Sequence, residues 1–295
     1  MKNRQDKLVG PVVSLPTFLD DSYNLQLDRQ AKHIRWLQKK GVGLNGDGVL
    51  LAAGGYGEGY FMDDGELFAL VDLLVEESKG KVPTMIGIFD LNARTAARRA
   101  RYAGDAGIDF IELGLPHYSS PSEEDVYLYT KYINDNADVG LMIYNNFWVT
   151  PPPAYEITRT LMERFMDLEN VVGFKWSSAN QAHYIGMLKL FARDFNFIDN
   201  GMMNSQGARN GMAGFVDFFG NVAPTLTLKK WEMFRDGAYD QLDQLLEKLH
   251  FETDNILSNE APSFGSVADG VVGHVRWETM GLYAGPNFPA QAPAP

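Results

Sequence analysis

The chain has 295 residues, of which 45% are hydrophobic and 22% are charged, and its formal net charge is −12. This length and composition are typical of a soluble globular protein with one large α/β domain, with or without an appendage. The acidic balance argues against binding to nucleic acid or to an anionic membrane, because both need a basic face. The absence of cysteine excludes disulfides, thiolate catalysis and cysteine-ligated metals.

The two ends of the sequence lack the patterns of targeting segments. The first seven residues are mostly charged or polar and no apolar run follows them, so we expect no signal peptide, no membrane span and a cytoplasmic protein. The last residues are rich in proline and alanine. We expect residues 286–295 to form a disordered tail.

Short apolar runs alternate with amphipathic segments along most of the chain. The predicted strands are residues 10–15, 48–53, 83–88, 108–113, 139–144, 171–176, 195–199 and 214–219. The predicted helices are residues 25–40, 63–78, 92–104 and 151–166, one that begins at residue 122, and a short one near 205–209. This rhythm predicts a (β/α)8 TIM barrel over residues 8–228. Apolar stripes after it predict a small helical appendage over residues 229–285.

In such a barrel the chemistry lies at the C-terminal ends of the strands. Lys175 ends the sixth apolar run, and Tyr144 ends the fifth, so their side chains are expected to meet. A lysine amine in an apolar pocket loses its proton more easily, and a neutral amine can form a Schiff base with a carbonyl. A tyrosine beside it can transfer protons. The alternative is that Lys175 only marks where the strand enters water.

A glycine-rich loop, residues 54–61, follows the second predicted strand. Its glycines indicate backbone that approaches something closely or adopts positive φ, and its N–H groups could bind a carboxylate. Glu58, in the same loop, is expected to be structural. The five histidines of the chain show no spacing of metal ligands, so we expect no metal site.

Short motifs occur in a fixed order along the chain. They are Pro-Thr-Phe at 16–18, Gly-Gly-Tyr-Gly-Glu at 54–58, Pro-His-Tyr at 116–118, Ile-Tyr-Asn at 143–145, Gly-Phe-Lys at 173–175 and Asn-Val-Ala-Pro at 221–224. In this order and spacing the chain resembles the dihydrodipicolinate synthase / N-acetylneuraminate lyase family over about residues 10–283. Any one motif is weak, whereas the ordered set is specific.

The resemblance implies a class I aldolase or lyase built as a (β/α)8 barrel with a C-terminal helical domain. It implies that Lys175 forms a Schiff base with pyruvate or another 2-oxo acid, and that Tyr144 transfers protons. It also implies a homotetramer made of two tight dimers, small-molecule substrates, and no metal or organic cofactor.

Further site residues follow from the same resemblance. The backbone amides of Gly55 and Tyr56 would hold the pyruvyl carboxylate. Tyr118 matches a tyrosine that reaches towards the site across the dimer in many members. The carbonyl of Val216 would lie near the lysine.

The sequence departs from the family pattern at positions that the resemblance assigns to substrate binding. The usual pair of hydroxyl residues after strand two is replaced by Gly55 and Tyr56, which puts the usual hydroxyl relay in doubt. The synthase members carry an arginine after the strand-five tyrosine, whereas this chain has Phe147 and Trp148 in that region. Asp217 stands where a small hydroxyl residue is usual, and it is a candidate substrate ligand or acid/base.

These departures predict an apolar or aromatic aldehyde as the second substrate, as in hydratase-aldolases that act on aromatic pyruvates. The rings could instead belong to the core or to a dimer interface, where aromatic residues are equally common. Two other functions stay open: a dehydratase or deaminase of 2-oxo sugar acids in the same family, and a non-catalytic relative that acts as a binding or scaffold protein.

Overall fold

The computed structural model describes residues 2–147, 156–178, 180–200, 204–249, 274, 277–278 and 280–288. Eight parallel strands close into a barrel in which each strand pairs with the next and the last pairs with the first. The strands are β1 (Gly10–Ser14), β2 (Val49–Ala52), β3 (Thr84–Ile88), β4 (Phe110–Leu113), β5 (Gly140–Asn145), β6 (Val171–Trp176), β7 (Asn196–Asp199) and β8 (Gly214–Asp217). The predicted TIM barrel is therefore confirmed.

Helices separate the strands and surround the barrel. They are α1 (Lys2–Gln5), α2 (Leu27–Lys39), α3 (Asp64–Ser78), α4 (Ala93–Ala106), α5 (Glu123–Asn136), α6 (Arg159–Phe165), α7 (Gln181–Phe191), α8 (Asn204–Arg209) and α9 (Pro224–Arg235). A further helical segment, 239–249, follows α9 and confirms the predicted C-terminal helices. The domain limit at residue 229 stays a prediction, and α9 runs across it. No helix in the described ranges is long and apolar enough to cross a membrane.

The strands carry two apolar layers, because alternate side chains of a strand point to opposite faces of the sheet. One set points into the barrel and forms an inner cluster with Leu8: Val12, Val49, Leu51, Met85, Phe110, Met142, Val172, Ile198 and Val216. The other set points outwards and packs against the helices in a larger outer cluster. The direction of each strand side chain can therefore be read from its place in this alternation.

Strand β6 departs from the alternation at Val172, where its register against β5 shifts by one residue. Val171, before the shift, packs in the outer cluster. If the alternation continued without a shift, Lys175, which lies four residues after Val171, would also face the helices. After the shift Phe174 packs in the outer cluster and Lys175 faces the barrel interior. An extra residue in a strand re-aims the side chains that follow it, and here it directs a lysine inwards.

The loop after β2 packs tightly against the backbone of neighbouring strands. A Cβ atom on Gly59 would overlap the carbonyl oxygen of Ala53, and one on Gly57 would lie 2.9 Å from the carbonyl oxygen of Leu15. The left-handed conformations in this loop belong to Ala53 and Glu58, whose φ angles are 50° and 58°. Gly57 and Gly59 are therefore needed because neighbouring carbonyl groups leave no room for a Cβ atom, and not because their φ angles are positive.

The end of the chain contacts this loop. Asn287 Nδ2 donates a hydrogen bond of 3.1 Å to Glu58 Oε1, and Phe288 is buried. The prediction of a disordered tail from residue 286 is therefore wrong for Asn287 and Phe288, whose contacts lie more than two hundred residues away in sequence. Residues 289–295 lie outside the described residues. Glu58 has the structural role that was expected of it.

Replacing Gly59 by alanine is expected to lower the free energy of unfolding by about 2 kcal/mol, because the added Cβ overlaps backbone that cannot rotate away. The matched control is Gly186→Ala in α7, where nothing lies within 4 Å of the new Cβ. That change is expected to raise the free energy of unfolding by about 1 kcal/mol, as alanine favours a helix interior. Urea unfolding of both variants checks this, and equal effects would contradict the packing explanation.

Candidate active site

A buried ion pair lies inside the barrel. Lys175 Nζ, from β6, is 2.7 Å from Oε1 of Glu112, which projects from β4. The Lys175 side chain is 6% exposed and that of Glu112 is 0% exposed. The second carboxylate oxygen, Oε2, is also buried and has no hydrogen-bond partner among the described residues. Each charge stabilises the other in a place where a lone ion is costly.

Tyr144 stands beside this pair. It is aligned with Lys175 in the β5–β6 register, and Lys175 Nζ lies 3.9 Å from the centroid of its ring. This places the cation over the electron-rich face of the ring. The Tyr144 hydroxyl oxygen accepts a hydrogen bond of 3.1 Å from Nδ2 of Asn200, which directly follows β7. The structure thus brings Lys175 and Tyr144 together, as the adjacency of their strands predicted.

Asn200 links the ends of two strands. Its Nδ2 also donates a 2.8 Å hydrogen bond to Oγ of Ser177, directly after β6. Ser177 is fully buried. The sequence analysis did not predict this contact between Asn200 and Tyr144.

Glu112 was missed by sequence reasoning. It lies in the short, mostly apolar strand β4, and the sequence analysis assigned it to that strand without considering a role for its carboxylate. Its position carried a usable signal, because it is two residues after Phe110, which faces inwards. A charged residue on the inward face of a barrel strand near its C-terminal end is a candidate site residue.

The loop after β2 contains Gly55 and Tyr56, the two residues predicted to hold the substrate carboxylate. Gly55 is buried, and its N–H donates no backbone hydrogen bond among the described residues. The ring of Tyr56 packs edge to face on Phe218 and Trp277, with centroids 6.2 and 6.0 Å apart. Tyr56 is therefore half-buried against the C-terminal region, which supports the packing alternative for this ring.

The remaining predicted residues have different surroundings. Tyr118 follows β4 and is 90% exposed, so it makes little contact within its own chain. Phe147, after β5, is half-buried. Val216 is in the inner cluster with its side chain 8% exposed. Trp148 lies outside the described residues.

Asp217 faces away from the barrel interior. Val216 before it points inwards, so Asp217 points towards the helices, where its Oδ2 is 2.9 Å from Nζ of Lys230 on α9. Its Oδ1 accepts a 3.0 Å hydrogen bond from the backbone N–H of Gly220. Both oxygens are engaged and both side chains are buried. This placement favours a structural role over the substrate contact that the sequence suggested.

An aromatic ring lies beside the inward face of β3, next to the strand position that is aligned with Glu112. Gly87 lies on the inward face of β3 and is aligned with Glu112. A Cβ on Gly87 would meet the ring of Phe89 at 2.7 Å, so this ring lies over the inward face of the sheet. The ring of Tyr60 packs on Phe89, with centroids 6.0 Å apart. Phe89 is a second candidate pocket residue that the sequence analysis missed.

Comparison with known proteins decides the family. The model of the dihydrodipicolinate synthetase family matches residues 7–273. The chain belongs to this family. Since the family consists of class I aldolases and lyases, the chain is an enzyme of the lyase class.

Relatives in the dihydrodipicolinate synthetase family span most of the chain. The 4-hydroxy-tetrahydrodipicolinate synthase of Bradyrhizobium diazoefficiens is 28% identical over 75% of this chain and 73% of its own. That of Methylobacterium radiotolerans is 24% identical over 92% of this chain and 88% of its own. Among solved structures, a putative dihydrodipicolinate synthetase from Pseudomonas aeruginosa matches with a TM-score of 0.81 at 20% identity, over 97% of this chain and 94% of its own. At that identity the structural match shows the fold alone.

Metal ligands do not gather in the described part of this family member. No group of three or more histidine, aspartate or glutamate side chains there could hold a metal ion. The expectation of a reaction without metal or organic cofactor stays a prediction.

His117 lies between β4 and the exposed Tyr118, and it is half-buried. Burial lowers the pKa of His117 from 6.5 to about 4, because the charged imidazolium loses solvation. Its Nδ1 has no hydrogen-bond partner among the described residues. The neutral ring is therefore the form compatible with the folded chain.

We expect His117 to make stability depend on pH. The unfolded chain binds a proton near pH 6.5 and the folded chain only near pH 4, so the free energy of unfolding falls as pH drops through this window. Replacing His117 by glutamine should reduce the loss of stability between pH 7.5 and pH 4.5. Urea unfolding at both values measures it, and an equal loss in the variant and the wild type would contradict the assignment.

Proposed function

We propose that the chain is a class I aldolase in which Lys175 forms a Schiff base with pyruvate or a related 2-oxo acid. The second substrate would be an apolar or aromatic aldehyde, and the reaction that of a hydratase-aldolase. One observation carries this proposal: a buried lysine at the C-terminal end of a barrel strand, in contact with Tyr144 and Glu112. Family membership supports the same chemistry.

The position of Lys175 suits nucleophilic attack. Barrel enzymes bind substrate at the C-terminal ends of the strands, and Lys175 is the penultimate residue of β6. A carbonyl that enters from this side meets the amine before it meets the apolar inner cluster. Tyr144, with its hydroxyl fixed by Asn200, is the candidate for proton transfer to and from the substrate.

The substrate carboxylate would be bound by backbone rather than by a cation. The only lysine described inside the barrel is Lys175, which is already paired with Glu112. The N–H of Gly55 is a suitable donor, and a loop that exposes backbone N–H groups can bind an anion. This assignment agrees with the role that the family resemblance implies for Gly55.

An aromatic second substrate is supported by the rings around the barrel opening. Phe89 lies over the inward face of β3, Tyr60 packs on it, and Phe147 follows β5. Aromatic pairs prefer edge-to-face or offset contacts, which such rings could offer to an aryl aldehyde. Tyr118 would join the site from a second subunit of a homotetramer.

A second candidate function is that of a non-catalytic relative. The observation that favours it is the ion pair itself, because a lysine held by a buried carboxylate could serve only to stabilise the barrel. Chemical trapping separates the two candidates.

Incubation with pyruvate and borohydride is expected to reduce a Schiff base and leave a stable adduct on Lys175. Lys175→Ala should abolish the adduct and the turnover, since Lys175 is the only described lysine inside the barrel. Lys189→Ala, at an exposed position in α7, is the matched control and should be labelled like the wild type. Mass spectrometry of peptides checks the site. If no 2-oxo acid labels the wild-type chain, the Schiff-base function is wrong.

Aldol addition of pyruvate to a series of aldehydes tests the pocket. We expect aryl aldehydes to be used with a kcat/KM roughly tenfold or more above that of aldehydes bearing a carboxylate, which find no described cation in the site. Phe89→Ala should reduce this ratio without reducing the trapping of pyruvate. A preference for the carboxylated aldehydes would refute the aromatic second substrate while leaving the Schiff base intact.

A further inference from the structure

We propose that Glu112 is a catalytic residue: it accepts the proton of the Lys175 ammonium and returns it to the leaving hydroxyl when the Schiff base forms. The inference rests on the proposed function, because it concerns the same lysine. It assigns the proton transfers at nitrogen to a carboxylate on β4, and it leaves those on the substrate carbon skeleton to Tyr144.

The contacts of Glu112 support this role. Its Oε1 lies 2.7 Å from Lys175 Nζ, which is hydrogen-bonding distance for direct proton transfer. Its Oε2 is buried without a partner in the described part of the chain. The reacting amine is therefore the only described group that holds this carboxylate in place.

A second buried lysine–carboxylate pair in the same barrel gives an internal comparison. Asp217 bonds Lys230 through one oxygen and a backbone N–H through the other, and it lies on the helix side of the sheet. That carboxylate is fixed by two separate elements, as a structural ion pair should be. Glu112 lacks the second anchor and faces the interior, where a substrate carbonyl would arrive.

The chemical steps balance without any further reactant. The ammonium of Lys175 gives a proton to Glu112, which leaves a neutral amine and a carboxylic acid. The amine nitrogen adds to the carbonyl carbon, and a proton moves from nitrogen to oxygen to give a carbinolamine. Glu112 then protonates the hydroxyl group, the C–O bond breaks, and water leaves as the nitrogen lone pair forms the C=N bond.

The charge of the pair is the same before and after these steps. At the start an ammonium faces the Glu112 carboxylate, and at the end an iminium faces it. A buried carboxylate without a cation would be costly, and so would a buried iminium without an anion. The 2.7 Å pair avoids both in the resting state and in the adduct, so one carboxylate can serve as acid, base and counter-ion.

Glu112→Gln tests the proposal, since the amide keeps the size of the side chain and loses its basic and acidic function. At pH 7 we expect borohydride to trap pyruvate on Lys175 about a hundredfold more slowly than in the wild type. The rate in the variant should also rise with buffer concentration at constant pH, because buffer then supplies the acid. In the wild type the rate should not depend on buffer concentration.

The matched control is Glu77→Gln, which makes the same change at a carboxylate on α3 whose side chain is 8% exposed and pairs with Arg35 on α2. It should trap pyruvate at the wild-type rate without dependence on buffer. Glu112→Gln that traps at the wild-type rate, with no dependence on buffer, overturns the proposal. A wild type that forms no adduct at all overturns the Schiff-base function instead, so the two failures are distinguishable.

Loss of Glu112 leaves a buried ammonium unpaired, and the variant could fail to fold. A cooperative thermal transition checks this. If Glu112→Gln shows no cooperative thermal transition, Tyr144→Phe replaces it in the trapping assay. Trapping that stays independent of buffer in Tyr144→Phe supports Glu112 as the internal acid, whereas trapping that becomes dependent on buffer overturns it.

Discussion

The rest of the site depends on the ion pair between Lys175 and Glu112 in the closed barrel. Removing one member of such a buried pair typically costs about 3–5 kcal/mol, because the other charge is left without compensation. The two residues come from β6 and β4, which are not neighbours, and β5, which carries Tyr144, pairs with both of these strands. One electrostatic contact and one ring therefore connect side chains from three consecutive strands.

The neutrality of this pair sets how substrate can be recognised. A lone lysine in the barrel would attract an anionic 2-oxo acid by charge, but Glu112 cancels much of that field at short range. In the proposed function, recognition would then fall to oriented backbone groups such as the Gly55 N–H, which discriminate by geometry rather than by net charge. A chain with a net charge of −12 can still bind an anion in this way, because only local groups act at contact distance.

The sequence predicted what depends on periodicity and strand order, including the barrel and the meeting of Lys175 with Tyr144. It could not predict the register shift at Val172, because a strand with one extra residue has the same local composition as a regular one. The contact of Asn287 with Glu58 was also beyond reach, as it joins distant parts of the chain. By contrast, the outward direction of Asp217 followed from the alternation in β8 and could have been inferred.

The proposed function divides chemistry and selectivity between different parts of this fold. The strands carry Lys175, Glu112 and Tyr144. Their backbone hydrogen bonds fix the register, and with it the direction in which each of these side chains points. The rings of Tyr60 and Phe89 follow strands β2 and β3 and lie outside the paired strand residues, so a change of side chain there leaves the strand pairing intact. Loss of the family's usual arginine alone would only exclude a carboxylated partner. The ring of Phe89 over Gly87 adds a positive reason to propose an aryl one, and in the proposed function a change at this ring would alter the choice of aldehyde while the Schiff-base step is kept.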